Sequence, residues 1–169
     1  VIDPSGSMQN DMPRVVTGIG DMLSVLPLSG WRLAIISTDP TIADATNSFP
    51  LIPGDDALDA ENQLNTTVFG HHEKGFDAVK AYMSNDYSPT WMREDAALLV
   101  VFVSDEEEQS IANFPTTSKF VSWISAQREY VFVSSIVNFA TSDSECNAPA
   151  IFHGTRYMEA ADAFGGQTI

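Results

Sequence analysis

Cysteine is almost missing from this chain: Cys146 stands alone, so no disulfide can close within the sequence. Stability has to come from a packed core, and 169 residues with 44% hydrophobic content are enough for a single domain with a sizeable one. Basic residues are scarce as well, 8 Lys and Arg against 23 Asp and Glu, for a formal charge of −15. Such a surface repels nucleic-acid backbones and anionic membranes, so a nucleic-acid partner is not expected. No apolar run is long enough to cross a bilayer, and direct membrane insertion is not expected either. The phosphate-gripping Gly-x-x-x-x-Gly-Lys-Ser/Thr loop is absent, and so is the Gly-x-Ser-x-Gly turn of serine hydrolases. Histidine numbers only 3. The adjacent pair His71-His72 is poorly placed to hold one zinc ion, and no Cys or third His stands nearby. These two are read as a solvated loop at the rim of a site, and the lone His153 as structural.

What the chain does have is an alternation of apolar runs and helical periodicities. Residues 10–26 repeat Met12, Val15, Val16, Ile19, Met22, Leu23 and Leu26 at helical spacing, with Pro13 in the first turn, where its missing N–H costs little. Trp31 to Ser37 reads as a buried strand, residues 38–47 as a polar turn region, and Ser48 to Ile52 as a short edge strand, since Pro50 is unsuited to a central one. A short helix is expected over Asp55 to Leu64, a loop over Asn65 to His72, and a helix over Glu73 to Met83. Ala97 to Ser104 is the most hydrophobic run and predicts a central strand buried on both faces. A helix over 116–127, a buried strand over Tyr130 to Val137, a loop holding Asp143, Glu145 and Cys146, and a helix over Arg156 to Phe164 complete the order. Of the tryptophans, Trp31 and Trp123 are assigned to packing, and Trp91, in a polar stretch, is the one considered for a partner surface. The pattern predicts an α/β fold, Rossmann-like and doubly wound, with a mostly parallel central sheet and helices on both faces. Ligand sites in such folds lie at the carboxyl ends of the strands.

Two carboxylates fall at those ends. Val1-Ile2 runs into Asp3-Pro4-Ser5-Gly6-Ser7-Met8, and the long apolar run ends at Asp105. A carboxylate and two hydroxyls spaced two apart on a tight turn can face one point, and hard oxygen donors of this kind suit Mg²⁺, Ca²⁺ or Mn²⁺. The plainer alternative is a turn whose serines cap the following helix. A hydroxyl from the Asn65-Thr66-Thr67 stretch and the carboxylate of Asp105 would complete the set. Glu106, Glu107 and Glu108 are read as a solvated run near the site rather than as ligands.

On these residues the chain resembles the von Willebrand factor A domain family, in a bacterial branch. The resemblance rests on Val1-Ile2-Asp3-Pro4-Ser5-Gly6-Ser7-Met8, the threonine loop before a helix, and Val101-Phe102-Val103-Ser104-Asp105, with the order of elements agreeing over almost the whole chain. Glu73-Lys74-Gly75-Phe76, the acidic run after Ser104, and Gly154-Thr155-Arg156-Tyr157 through Gly165-Gly166 point to the bacterial branch. The family's metal-ion-dependent adhesion site would carry over as Asp3, Ser5, Ser7, Thr67 and Asp105, with Thr66 as the alternative to Thr67. Where family members often have Gly after the last Asp, this chain has Glu106. The resemblance implies a divalent cation, Mg²⁺ first with Ca²⁺ and Mn²⁺ as alternatives, whose shell is completed by an Asp or Glu of a protein partner. It also implies an antiparallel edge strand, here Ser48 to Ile52.

The chain is therefore expected to be a single von Willebrand factor A-like domain over residues 1–169, a non-enzymatic, adhesion-type binding module. Too few residues precede Asp3 for a full strand, so it is expected to be an excerpt of a longer chain, extracellular or at the cell surface, within a larger surface or appendage assembly. In an exported parent protein, Cys146 would pair with a cysteine outside the excerpt. Two other classes remain in view: a non-catalytic subunit docking on an ATPase or chelatase complex, and a metal-assisted hydrolase. An aspartyl phosphatase is disfavoured because its second Asp, two residues on, is Ser5 here.

Overall fold

The computed structural model describes residues 1–138 and 153–169. Asp143, Glu145 and Cys146 lie outside the described residues, and with them the expected pairing of Cys146. The fold is α/β. Two parallel strands, β1 (Leu98–Ser104) and β2 (Val131–Val137), pair in register from Leu98 with Val131 to Ser104 with Val137. Shorter extended segments flank them. Ile2 forms parallel bridges to Val103 on one side and Ser37 on the other, and Thr168 bridges Ser135 beyond β2. The Ile2 contacts are tight: the Asp3 amide donates to Val103 O at 2.9 Å, and the Thr38 amide to Ile2 O at 3.0 Å.

Among the described residues, six α-helices surround these strands: α1 (Met12–Val25), α2 (Pro40–Ala45), α3 (Ala57–Thr67), α4 (Gly75–Ser84), α5 (Thr117–Ser125) and α6 (Thr155–Ala163). Successive residues of a strand face opposite ways, and the packing follows that alternation. Val100, Phe102, Val133 and Val137 pack with Phe76 of α4, Phe120 and Ile124 of α5, and Tyr157 of α6. Phe76 is the hub, stacked on Phe120 at 4.0 Å between centroids and edge-on to Phe102, Phe114 and Tyr157. Val103, facing the other way, joins Ile2, Ile35 and the α1 and α3 residues Val15, Val16, Ile19, Ala60 and Leu64.

Several elements differ from expectation. Trp31 to Ser37 does not form a continuous strand: Leu33 makes an antiparallel bridge to Leu51 and Ser37 a parallel one to Ile2, with unladdered residues between. The edge strand over Ser48 to Ile52 reduces to that Leu51 bridge. The polar stretch 38–47 contains α2, because Asp39 caps it, accepting from the Thr41 amide at 3.0 Å, and Pro40 fills the first position. β1 and β2 are not buried on both faces. Leu99, Phe132 and Ile136 are exposed, since α1 and α3 cover Ile2, Ile35 and Val103 but do not extend over these residues. Trp91 is no surface residue: it is buried with Ile36, Ala43, Ala78 and Tyr82.

Candidate metal centre

The first loop follows directly from strand geometry. Ile2 is pinned between Val103 and Ser37, so Asp3 emerges at the carboxyl end of the parallel segments, fully buried. Its Oδ1 accepts from the Ser5 amide at 2.7 Å, which folds Asp-Pro-Ser into a tight turn. Its Oδ2 accepts from the Ser104 hydroxyl at 2.6 Å, locking the carboxylate to the last residue of β1. A 3-10 turn, Gly6–Asn10, then leads into α1. Within the turn the Ser5 and Ser7 hydroxyls lie 2.8 Å apart, and both point at Asp105, with Ser7 Oγ 3.1 Å and Ser5 Oγ 3.4 Å from its Oδ1. No side-chain capping bond is made by Ser5. The serines converge on the second carboxylate instead of capping a helix.

Four of the five expected ligands are therefore brought together: Asp3, Ser5, Ser7 and Asp105. Thr67 is not among them. Residues 65–67 were expected in a loop, but α3 runs through Thr67, started by a capping box between Asp56 and Asp59. The Thr67 hydroxyl is buried and donates to Ile35 O at 3.0 Å and Gln63 O at 2.8 Å. Thr66 is exposed and donates to Asn62 O and Gln63 O. Among the described residues, the hydroxyls of both threonines bond to backbone carbonyls and neither bonds to the other four residues.

The acidic run after β1 is not a solvated stretch. Glu107 caps α6, its two oxygens accepting from the Thr155 and Arg156 amides at 3.2 and 3.1 Å. Glu108 is buried: one oxygen accepts from the Phe76 and Ser110 amides, and the other lies 2.7 Å from Arg156 Nη1. Negative charge at helix N-termini is favourable, so this loop staples α4 and α6 together. Glu106 is half-buried and feels the charges of Glu73, Asp3 and Asp105.

The electrostatics are those of crowded anions. Burial pushes the Asp3 carboxyl up; hydrogen bonds from Ser104 and Ser5 pull it back, and the charge of Asp105 adds to the rise. Burial and repulsion by Asp3 raise Glu73. Burial, then Glu73, Asp3 and Asp105, push Glu106 up to about 7. Glu106 was expected near the site, as part of a solvated run; Glu73, buried just before α4, is the site neighbour that sequence reasoning did not place. The signal for Glu73 was its position immediately ahead of the Gly75-Phe76 helix start.

Among the described residues no three Asp, Glu, His or Cys side chains converge closely enough to hold an ion by themselves. The donor set is instead two carboxylates with two hydroxyls, all hard oxygen, which fits Mg²⁺, Mn²⁺ or Ca²⁺ and not a soft metal. A cleft of about 580 Å³ opens beside Pro4, between Asp39 to Ile42 and Val68 to His72, with His71 and His72 exposed on its rim. Among the described residues, no helix is long and apolar enough to cross a membrane. Comparisons with protein-family models, curated proteins and solved structures gave no match for this chain.

Proposed function

We propose that this chain is a metal-dependent protein-binding module of the von Willebrand factor A type, built on a Rossmann-like, doubly wound sheet. The observation that carries the reading is the hydrogen-bonded knot of Asp3, Ser5, Ser7 and Asp105, in which Ser7 and Asp105 meet across 98 positions of sequence. Four oxygen donors from two loops, at the carboxyl ends of adjacent parallel segments, form a set suited to a hard dication. Asp3 is the anchor, oriented from behind by Ser104 and the Ser5 amide. Ser5 and Ser7 supply neutral oxygens, and Asp105 closes the set from β1. Mg²⁺ is the ion expected. When bound, it would supply positive charge and an open position for one more anionic oxygen.

That oxygen comes from an Asp or Glu of a protein partner. Glu73 and Glu106 make the approach selective: a bare acidic surface is repelled, so the partner's carboxylate must be flanked by basic residues. No bond is broken in this scheme: the ion and its oxygen donors serve to bind the partner's carboxylate.

Calorimetry with Mg²⁺, Mn²⁺ and Ca²⁺ tests the site. Wild type should bind one dication and Asp3→Ala should lose binding while keeping its circular dichroism spectrum. Saturation at a hundred times Kd should stabilise the fold by about 2.7 kcal/mol. Equal affinity in the two proteins would refute the assignment. Partner capture should disappear with chelator, and affinity indifferent to chelator would place the interaction elsewhere.

A further inference from the structure

The segment entering α4 crosses the mouth of this site. The Lys74 amide donates to Thr38 O at 3.2 Å, and the Gln109 amide donates to Glu73 O at 2.8 Å. Residues 73–74 thus span from the extended segment ending at Thr38 to the loop after β1. Ile2 lies between those two segments, bridging both Ser37 and Val103, so Asp3 emerges beneath the span.

Two buried oxygen groups there lack adequate partners. Glu73 is only 8% exposed, and its carboxylate has modest compensation: its own backbone amide, the neighbouring His72, and one long side-chain contact, 3.5 Å from Gln109 Nε2. Burying a carboxylate with so little compensation is costly unless positive charge is nearby. Thr38 is 1% exposed, and among the described residues its hydroxyl has no hydrogen-bond partner. By strand alternation the Thr38 side chain lies on the side of Ile36, and that of Asp3 on the side of Val1. Val1 and Ile36 pack in one cluster with Ala78 of α4, so both side chains face α4. The mutual repulsion of Glu73 with Asp3 and Asp105 agrees with this placement.

Resting on the metal-site reading, we infer that Glu73 and Thr38 form the outer wall of the cation site, holding a water of the bound ion on its α4 side. They fill the third-loop place that Thr67 does not reach. Glu73 does not ligate directly, since no third acidic side chain is within direct reach. A carboxylate that acts through a water still sets affinity, because it orients the water and supplies a third negative charge beside Asp3 and Asp105.

The test is Mn²⁺ titration of the folded chain by calorimetry, with water-proton relaxation to count the waters on the ion. Glu73→Gln should weaken Mn²⁺ binding about 10- to 100-fold with the water count unchanged. Thr38→Val should weaken it in the same direction, and Thr67→Val should bind as wild type. Thr38→Val keeps the inference testable if Glu73→Gln is unstable, and thermal melts without metal report folding for each. Wild-type affinity in folded Glu73→Gln and Thr38→Val overturns the inference while the Asp3 site stands. A gain of one water in Glu73→Gln overturns the water-mediated role. Absence of Mn²⁺ binding by wild type itself removes the metal site, and this inference with it.

Discussion

Replacing Arg156 by Met should damage the fold far more than a single charge on a helix end suggests. Arg156 is 15% exposed at the side chain and Glu108 is fully buried, with 2.7 Å between them. The guanidinium also donates to Phe114 O and lies 5.2 Å from the centre of the Phe76 ring. Met restores most of the volume but leaves Glu108 as a buried, unpaired carboxylate. Breaking a buried pair from one side costs about 3–5 kcal/mol. At about 2–4 °C per kcal/mol for a chain of this size, the melting midpoint should fall by roughly 6–20 °C. Glu108→Gln in the same background removes the stranded charge and should recover part of the loss, giving a coupling measurable by a double-mutant cycle. The pH dependence has a definite sign. Burial already raises the Glu108 carboxyl despite Arg156, and without the arginine it rises further. A carboxyl raised in the folded state contributes stability that is present at low pH and lost as pH climbs through its folded value. The deficit of Arg156→Met should therefore be largest at neutral pH and shrink under mildly acidic conditions. Urea melts at several pH values would measure it. A loss under 1 kcal/mol at pH 7, or a deficit independent of pH, would refute the reasoning.

Asp39 should show the opposite sign. Burial raises its carboxyl, but hydrogen bonds from the His71 and Thr41 amides, with help from His72, outweigh burial and hold it below the usual range. Its contribution is present above the unfolded carboxyl pKa of about 3.9 and fades as pH falls through the lower folded value. Asp39→Ala should cost about 1 kcal/mol at pH 7, with the gap to wild type closing in strongly acidic solution, as followed by denaturant melts. Gly166→Ala should be more severe than an ordinary loop substitution. A Cβ there would lie 1.7 Å from Val133 O, so the 165–169 segment would have to leave β2. A loss of about 1–3 kcal/mol and faster exchange of the Ser135 and Val137 amides, which donate to Gln167 O and Ile169 O, are expected by hydrogen-exchange measurement.

The parts of the site that could be read in the sequence were those fixed by short-range geometry. Asp3, Ser5 and Ser7 lie within one turn, and Asp105 follows directly from the end of an apolar run. What could not be read was decided by partners far away. Thr67 looked like a loop hydroxyl because Asn65-Thr66-Thr67 has poor helix propensity. The helix nevertheless continues, held by the Asp56 capping box and by burial of Leu64 and Thr67. The turn comes later, at Gly70, whose φ of 122° is accessible to glycine and whose missing Cβ leaves room for the Asp39 carboxylate. Glu107 and Glu108 looked solvated because their partners are amides 49 and 32 positions away. The helix α2 was readable after all from Asp39-Pro40, a cap followed by a first-position proline, and polar composition obscured it. The run at Trp31 to Ser37 has strand composition, but Leu51 and Ile2 supply ladder partners only at its ends.

The separation of Ser7 from Asp105 by 98 positions also governs when the knot can exist. Contacts between distant segments close late, because the entropy of the intervening loop must be overcome first. A nascent chain that has not yet extended past β1 carries Asp3, Ser5 and Ser7 without Asp105 behind them. A cation held as proposed would therefore not act as a template for early folding. It would bind the finished molecule, so its stabilisation should appear almost wholly as slower unfolding, with little change in the refolding rate.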